Sequence, residues 1–362
     1  MSRAGSAGQR KLSGYSRDDG LPLSGRFTHK LAMSGTPFRN SFERAWGVMR
    51  FLWPELNGVK QVATANYYSW LYERMTHQDI VTGKDKKGNL KTAKKWLKER
   101  QPGRLMAEAP CVIQHFRRTK CCEFHPHGFL STEAPQVIRR VVELDPKQKK
   151  AIEQLEKHYM TWLDNLPLSA DLTITQKQRI RQVCLGVPTL EIGFDANGND
   201  VTTVDFAPDC VSPFYDELLD ILEETAPEPV AVYMESQKFA RTVTQKLNAD
   251  GIPSFEFSGK TVATRDQNLA EFGGKFRVLV GVISSVGEGT DGIQRVCSTD
   301  VFLEQSVDET LNTQVQARTD RMGAKGQVQR FVILDDMGYA EGAMEKRLRK
   351  ARELQMSVRR AV

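Results

Sequence analysis

The chain has 362 residues, of which 40% are apolar and 27% charged, and its formal net charge is +6. This composition excludes a disordered tail, a collagen-like fibre and a disulfide-stapled miniprotein, and the length is sufficient for two domains or one large one. The excess of positive charge is too small to imply a polyanionic partner by itself.

Six cysteines, none of them at the C-x-x-C spacing of a zinc site, favour reduced thiols over a disulfide framework. No apolar run approaches the roughly 18 residues that a membrane helix needs, and the N-terminus lacks an apolar signal core. We therefore expect a soluble, cytoplasmic protein (host cytoplasm if the source is viral), with no metal ligands and no membrane partner.

The first 145 residues give the weakest sequence indications of secondary structure. Residues 1–28 are rich in Ser, Gly and Arg and are typical of a flexible tail, whereas 29–145 predict a mixed, mostly helical region. Within it, 84–100 holds eight basic residues against two acidic ones. A solvated, lysine-rich loop is the simpler interpretation of 84–100, and contact with phosphates is the alternative.

Residues 146–228 predict a helical linker or insertion. Asp145-Pro146 opens a helix, because proline suits the first turn. Residues 190–206 alternate around Asn197-Gly198, which predicts a β-hairpin.

Strands and helices alternate through residues 229–362. The apolar runs that predict strands are Val230–Met234, Ser254–Phe257, Phe276–Ile283, Val301–Leu303 and Phe331–Leu334. The segments that predict helices are the one with Phe239, Val243 and Leu247 at four-residue spacing, Val262–Phe272, and about Asp308 to Met322. This order predicts an α/β fold with a parallel sheet covered on both faces.

A glycine-rich loop follows the third of these strands. Gly287, Gly289 and Gly292 allow the backbone to approach a ligand closely, and Asp291 supplies a carboxylate for a ribose hydroxyl or a guanidinium. Ligands bind beyond the carboxyl ends of strands in an open parallel sheet, so the loop lies at the expected edge. An ordinary glycine-rich turn explains the same residues equally well.

Gln314, Arg318 and Arg321 occur at i, i+4 and i+7, which places them on one face of one helix. Two guanidiniums and an amide on one stripe suit the oxygens of a phosphate. A solvated polar face gives the same spacing, but Gly323 after the helix and the glycine loop before it favour an anion site.

Residues 258–261 (Ser-Gly-Lys-Thr) have the ending of a phosphate loop. The full pattern needs glycine at position 254, where Ser254 stands, so a P-loop kinase is rejected. Lys260 and the backbone amides beside it are instead candidates for contact with a nucleic-acid phosphate.

Taken in order, these segments resemble the helicase motifs of the Swi/Snf-like ATPases of superfamily two. The matching segments are 31–40 (LAMSGTPFRN, motif III), 45–56, 116–120 (FRRTK), 179–188 (RIRQVCLGVP), 232–237 (motif IV), 258–261, 287–292 (motif V) and 314–323 (motif VI). The resemblance covers about residues 29–338. It implies a RecA-like, parallel-sheet helicase C-terminal lobe at 229–362, preceded by the end of the first lobe at 29–145 and by the insertion at 146–228.

The resemblance also implies roles for residues at matching positions. The implied catalytic residues are Gln314 and the two arginine fingers, Arg318 and Arg321, and the implied cofactor contacts are Gly287, Gly289 and Asp291. The residues implied to couple the nucleotide state to the nucleic-acid strand are Gly35, Thr36, Pro37 and Asn40. The implied contacts to DNA phosphates are Arg117, Arg118, Lys120, Ser236 and Lys260. The implied cofactors are ATP and Mg²⁺, and the implied substrate is DNA, bound without regard to its sequence.

The sequence also departs from the family pattern at several positions. Ala324 follows the motif VI glycine in place of the usual Gln, and Glu304 ends a strand in place of Asp. Motifs I and II are missing, because the sequence has no G-x-x-x-x-G-K-[ST] pattern and no Asp-Glu pair after an apolar strand. We therefore expect half of an ATPase site, completed by a separate chain that carries motifs I and II. The alternative is a non-catalytic nucleic-acid-binding or adaptor protein that retains the helicase fold.

Overall fold

The computed structural model describes residues 52, 67–84, 90–101, 104, 133–163, 166–169, 173–194, 200–287 and 290–359. Two compact units divide the chain: residues 1–114 with 308–310 and 348–362, here the N-terminal unit, and residues 115–307 with 311–347, here the sheet unit. The elements in chain order are α1 (Tyr67–Arg74), β1 (Met75–Lys84), β2 (Leu90–Glu99), β3 (Gln136–Val142), α2 (Pro146–His158), β4 (Met160–Leu163), β5 (Leu166–Ser169), α3 (Thr173–Leu185), β6 (Thr189–Phe194), β7 (Asp200–Asp205), α4 (Pro213–Glu224), β8 (Val230–Met234), α5 (Gln237–Ala249), β9 (Ser254–Phe257), α6 (Arg265–Ala270), β10 (Val278–Val282), α7 (Ile283–Val286), α8 (Ile293–Val296), β11 (Thr299–Phe302), α9 (Glu309–Thr319), β12 (Gln329–Asp335) and α10 (Tyr339–Arg359).

A six-stranded sheet forms the centre of the sheet unit. Its strand order is β3-β12-β11-β8-β10-β9, and every neighbouring pair is parallel. The side chains of β8, β10 and β11 are buried on both faces, as expected for strands that read as continuous apolar runs. The predicted fold class is confirmed: the structure is mixed α/β, with the parallel sheet expected for a RecA-like helicase lobe.

Helices cover both faces of the sheet. Alternate residues of β8 enter different hydrophobic clusters: Val232 packs with residues of α2, α3, α4 and α5, and Tyr233 with residues of α7, α8 and α9. On α5, the predicted stripe of Phe239, Val243 and Leu247 is fully buried. The spacing of apolar residues along this helix therefore predicted correctly which face packs on the sheet.

The domain boundaries predicted at 145 and 228 do not divide the sheet unit. Strand β3 lies in the segment assigned to the first lobe, yet it pairs with β12 along its full length. Leu155 of α2, Leu185 of α3 and Leu218 of α4 belong to the same buried cluster as the strands of the sheet. Residues 136–228 thus complete the fold of the sheet unit, because its sheet would otherwise leave one apolar face uncovered.

Two hairpins bear on the sequence predictions. Strands β6 and β7 pair antiparallel, which confirms the hairpin predicted near 190–206. In the N-terminal unit, β1 and β2 also pair antiparallel, so the prediction of a loop over 84–100 is wrong for Leu90–Glu99. The sequence did not indicate this strand, because exposed lysines such as Lys94 and Lys95 interrupt the apolar alternation that is typical of a half-buried strand.

Helix α2 begins where the sequence predicts. Asp145 accepts a hydrogen bond from the backbone N–H of Lys147 at 2.8 Å, and the side chain of Gln148 accepts one from the backbone N–H of Asp145 at 3.0 Å. Pro146 occupies the first helical position. This reciprocal capping satisfies backbone donors that have no partner inside the helix.

Candidate functional site

The candidate site begins at the end of β10, where the backbone of Gly281 lies close to the side chain of Val286. A Cβ atom on Gly281 would lie 2.6 Å from Cγ2 of Val286, so glycine is required for α7 to fold back on the strand. Beyond α7, Gly292 has φ +103°, a conformation that other residues rarely adopt. These two glycines set the path of the loop between them, of which 288 and 289 lie outside the described residues.

Arg318 on α9 holds both sides of this loop. Its Nη1 donates a hydrogen bond to the carbonyl oxygen of Thr290 at 2.7 Å, and its Nη2 donates one to the carbonyl oxygen of Gly287. One helical turn earlier, Oε1 of Gln314 lies 3.5 Å from where a Cβ of Gly287 would stand. The sequence-predicted residues Gln314, Arg318 and Gly287 are therefore brought together.

Helix α9 ends at Thr319, so the helix predicted to about Met322 is too long, and Arg321 lies just beyond the helix on the solvent side of the same loop. Its Nη1 forms an ion pair with Oδ1 of Asp291 at 2.9 Å, with side chains 40% and 58% exposed. A hydrogen bond from Gln294, together with the charge of Arg321, holds the pKa of Asp291 below its usual value. An exposed ion pair contributes little to stability, so Arg321 can exchange Asp291 for another anion readily.

A buried ion pair anchors the end of α9, which carries Arg318 and lies two residues before Arg321. Oδ2 of Asp300 accepts hydrogen bonds from Nη2 of Arg330 at 2.8 Å and from the hydroxyl of Thr319 at 2.8 Å. Arg330 also donates to the carbonyl oxygen of Gln316 at 3.2 Å. Burial raises the pKa of Asp300, and the guanidinium of Arg330 opposes this shift. Sequence reasoning missed this pair, because each residue is the second of a strand that was predicted to begin two residues later than it does.

A second network joins α3 to the carboxyl ends of β8 and β11. Glu304 accepts hydrogen bonds from the backbone N–H groups of Glu235 at 3.1 Å and Ser236 at 2.9 Å. Arg181 pairs with Glu304 at 2.7 Å and with Glu235 at 2.8 Å. Burial raises the pKa of Glu304, and Arg181 opposes the shift. Glu304 therefore positions the start of α5.

Ser236 and Lys260 lie at this same edge of the sheet. The hydroxyl of Ser236 caps α5 by accepting a hydrogen bond from the backbone N–H of Phe239 at 3.3 Å. Its neighbour Gln237 donates to the hydroxyl of Ser258 at 3.2 Å, which connects the ends of β8 and β9. The side chain of Lys260 is exposed beside this connection. Both predicted phosphate contacts therefore face the edge at which parallel sheets bind ligands.

Other predicted site residues lie outside the described residues. They are Gly35, Thr36, Pro37, Asn40, Arg117, Arg118, Lys120 and Gly289. Among the residues that the structure does describe, no three His, Cys, Asp or Glu side chains are grouped so as to hold a metal ion. In the same part of the chain, no helix has both the length and the apolar character needed to cross a membrane.

Comparisons with known proteins give a likeness of fold. No protein-family model matches the sequence, and no curated protein matches it. Among solved structures, the chain is similar to the C-terminal part of the Fun30 ATPase domain, at 12% identity over 59% of this chain and 89% of that one, with a TM-score of 0.44. It is also similar to the Pyrococcus furiosus Hef helicase domain, at 21% identity over 38% of this chain and 28% of that one, with a TM-score of 0.30. Neither likeness is close enough to transfer an activity, a substrate or a partner.

Proposed function

We propose that this chain is the C-terminal half of a Swi/Snf-like, ATP-dependent DNA helicase or translocase, whose ATP site is completed by a polypeptide carrying motifs I and II. The observation that carries the proposal is the pairing of the end of α9, and of the residues directly after it, with one loop. Arg318 spans the backbone at Gly287 and Thr290, and Arg321 pairs with Asp291 on the same loop. A solvated polar segment would not place both arginines on a glycine-rich loop.

The two arginines have different parts in this proposal. Arg318 is a positioning residue, because its guanidinium already donates to two backbone carbonyls. Arg321 is the arginine finger, since within the described residues it pairs with an exposed carboxylate, that of Asp291, which it can leave at small cost. Asp291 holds the guanidinium near the loop until a more strongly charged group, the γ-phosphate, replaces it.

The described residues fit a nucleotide only in part. ATP supplies the phosphoanhydride bond whose hydrolysis drives the motor, and this chain supplies guanidinium charge for the phosphate oxygens. In this proposal the phosphate loop and the Mg²⁺ ligands come from the polypeptide that carries motifs I and II, since the given residues contain no G-x-x-x-x-G-K-[ST] pattern. The contribution of this chain is therefore orientation and charge stabilisation of the transition state.

The first test is ATP turnover by the chain alone and with its partner. We expect the purified chain to hydrolyse ATP no faster than background, with or without DNA, since it lacks a phosphate loop. Adding a polypeptide with motifs I and II should restore DNA-stimulated turnover. Turnover by the chain alone that disappears in Arg321→Ala would mean that a complete site is present. No turnover with any such partner would favour the adaptor function.

The second test concerns DNA. Lys260→Ala should weaken binding about equally for all DNA sequences and reduce the salt slope by about one counterion, because a lysine at this edge contacts only phosphate. Binding is measured by fluorescence anisotropy over a salt series. Lys275→Ala is the matched control, since Lys275 is exposed but precedes β10 at the opposite edge of the sheet. Equal losses in both variants would contradict a localised contact.

A further inference from the structure

Strand β3 forms one edge of the six-stranded sheet, and its outer side has no neighbouring strand within the described part of the chain. It pairs with β12 over its full length of seven residues, without a bulge. Its sequence, QVIRRVV, also contains no proline or glycine. Bulges and prolines are common means of blocking an exposed edge, so β3 lacks two of the usual protections against the addition of another strand.

The backbone of β3 offers hydrogen-bonding groups on this open side. The N–H of Gln136 donates to the carbonyl oxygen of Val328 at 2.8 Å, which places the backbone groups of Gln136 on the side of β12. Successive residues of a strand direct these groups to alternate sides. Val137, Arg139 and Val141 therefore direct their N–H and C=O groups away from β12, where an added strand would pair with them.

The side chains of the same residues form an apolar surface on one face of the edge. Val137 and Val141 are 57% and 65% exposed. Between them, Arg139 pairs with Glu341 at 3.4 Å. A single exposed apolar residue is ordinary, but two on the same face of an open strand provide cross-strand contacts for the apolar side chains of a neighbour.

The opposite face of the edge is acidic. Ile138 packs on the hydrophobic cluster that includes α4, and Arg140 pairs with Glu224 of this helix at 2.6 Å and with Glu217 at 3.7 Å. Asp220 is exposed on the same side of α4, at helical spacing from both carboxylates. Glu217, Asp220 and Glu224, here the acidic stripe, carry −3 against +1 on Arg140, so a net charge of −2 lies beside the open edge.

We propose that β3 accepts an extended segment of another polypeptide as a further strand of the sheet, and that this segment alternates apolar and basic residues. Its apolar side chains would contact Val137 and Val141, and its basic side chains would face the acidic stripe, since the side chains of a strand alternate between two faces. The inference goes beyond the proposed function, because this binding requires neither nucleotide nor Arg318 and Arg321.

The charges at the edge favour a different polypeptide over a second copy of this chain. Strand β3 contains two arginines and no acidic residue. In an antiparallel pair of two β3 strands, both α4 helices would lie on the same face of the joined sheet, and the two acidic stripes would approach each other. A basic strand meets no such repulsion.

The test uses the full chain and synthetic peptides of about eight residues, the length of an ordinary strand. We expect a peptide of alternating Val and Lys to bind at least about tenfold more tightly than an isomer with the same residues in two blocks, because only alternation separates the two faces. A Val and Glu peptide should bind no better than the block isomer. Affinity is measured by fluorescence anisotropy, and hydrogen exchange of residues 136–142 should slow when the alternating peptide is added.

Methylated peptides test the backbone pairing without any change in the protein. One version carries methyl groups on the backbone nitrogens of its valines, and another on those of its lysines. Only alternate N–H groups of an added strand face β3, so one version should lose binding and the other should keep it.

Two pairs of variants test the edge and the stripe. Arg139→Pro removes an outward N–H, which an edge strand tolerates, whereas Arg139→Ala removes the same side chain and keeps that N–H. Arg139→Pro should therefore lower affinity for the alternating peptide at least about tenfold more than Arg139→Ala. Asp220→Lys should weaken binding, whereas Glu153→Lys, which changes the charge equally at an exposed position of α2, should not.

The expected pattern supports the proposal when the thermal unfolding of the variants matches that of the wild type. If Arg139→Pro does not fold, the methylated peptides and Asp220→Lys decide the outcome. Equal binding of the alternating and block peptides, retention of binding by both methylated versions, or equal effects of Asp220→Lys and Glu153→Lys would each overturn the proposal. Dimerisation of the chain that the alternating peptide does not displace would also overturn it, because the edge would then pair with a second copy.

Discussion

Replacing Arg330 with alanine is expected to lower the free energy of unfolding by about 3–5 kcal/mol, which is the usual cost of removing one partner of a buried ion pair. The side chains of Arg330 and Asp300 are 7% and 0% exposed, so no water replaces the lost guanidinium. The variant also removes the hydrogen bond from Arg330 to the carbonyl oxygen of Gln316. Chemical denaturation followed by circular dichroism measures the change.

The matched control for Arg330→Ala lies on the neighbouring strand. Arg139 of β3 pairs with Glu341 at 3.4 Å, but the two side chains are 55% and 48% exposed. Arg139→Ala should therefore change the free energy of unfolding by less than about 1 kcal/mol. Similar losses in the two variants would mean that burial does not set the strength of the Asp300–Arg330 pair.

Replacing Arg321 with alanine is expected to reduce the turnover number of the reconstituted motor by on the order of 10³-fold, as for a true arginine finger. The fold should be as stable as before, because the ion pair that Arg321 forms with Asp291 is exposed to solvent. Arg321→Lys should rescue poorly, since an ammonium cannot present a planar fork to two phosphate oxygens. DNA affinity, measured on the same samples, should stay nearly constant.

Two further variants separate the finger from its surroundings. Arg295 is exposed on α8, next to the same loop, so Arg295→Ala removes an equal charge without removing the finger and should leave turnover unchanged. Arg318→Ala should lower both turnover and stability, because it frees the carbonyls of Gly287 and Thr290. Unchanged turnover in Arg321→Ala would falsify the finger assignment and favour the adaptor function.

The sequence predicts the central strands well because their signal is local. The predicted bounds of Val230–Met234 and Ser254–Phe257 agree with β8 and β9, since buried parallel strands are continuous apolar runs between polar turns. Strand β3 was missed, because its pairing partner β12 lies almost two hundred residues later and it carries two arginines at its centre. A local pattern contains no information on so distant a pairing.

The sequence predicted which types of residue form the candidate site and which face of the helix carries Gln314 and Arg318. Their four-residue spacing placed Gln314 and Arg318 on one face of a helix, and both side chains do approach the loop at Gly287. The spacing could not reveal that Arg318 donates to backbone carbonyls, because every residue has a carbonyl and the contact leaves no sequence signal. The buried Asp300–Arg330 pair was likewise invisible, since thirty residues separate its members.

The attachments of α9 limit how the candidate site can move. Towards the loop the helix is held through Arg318, and towards the base of the sheet it is held through Gln316 and Thr319, which contact Arg330 and Asp300. Rotation of the helix about its own axis would break both sets of hydrogen bonds at once. Small displacements at the loop are therefore transmitted to the sheet as rigid-body motion, while local adjustment is confined to the torsion angles of exposed side chains such as Arg321.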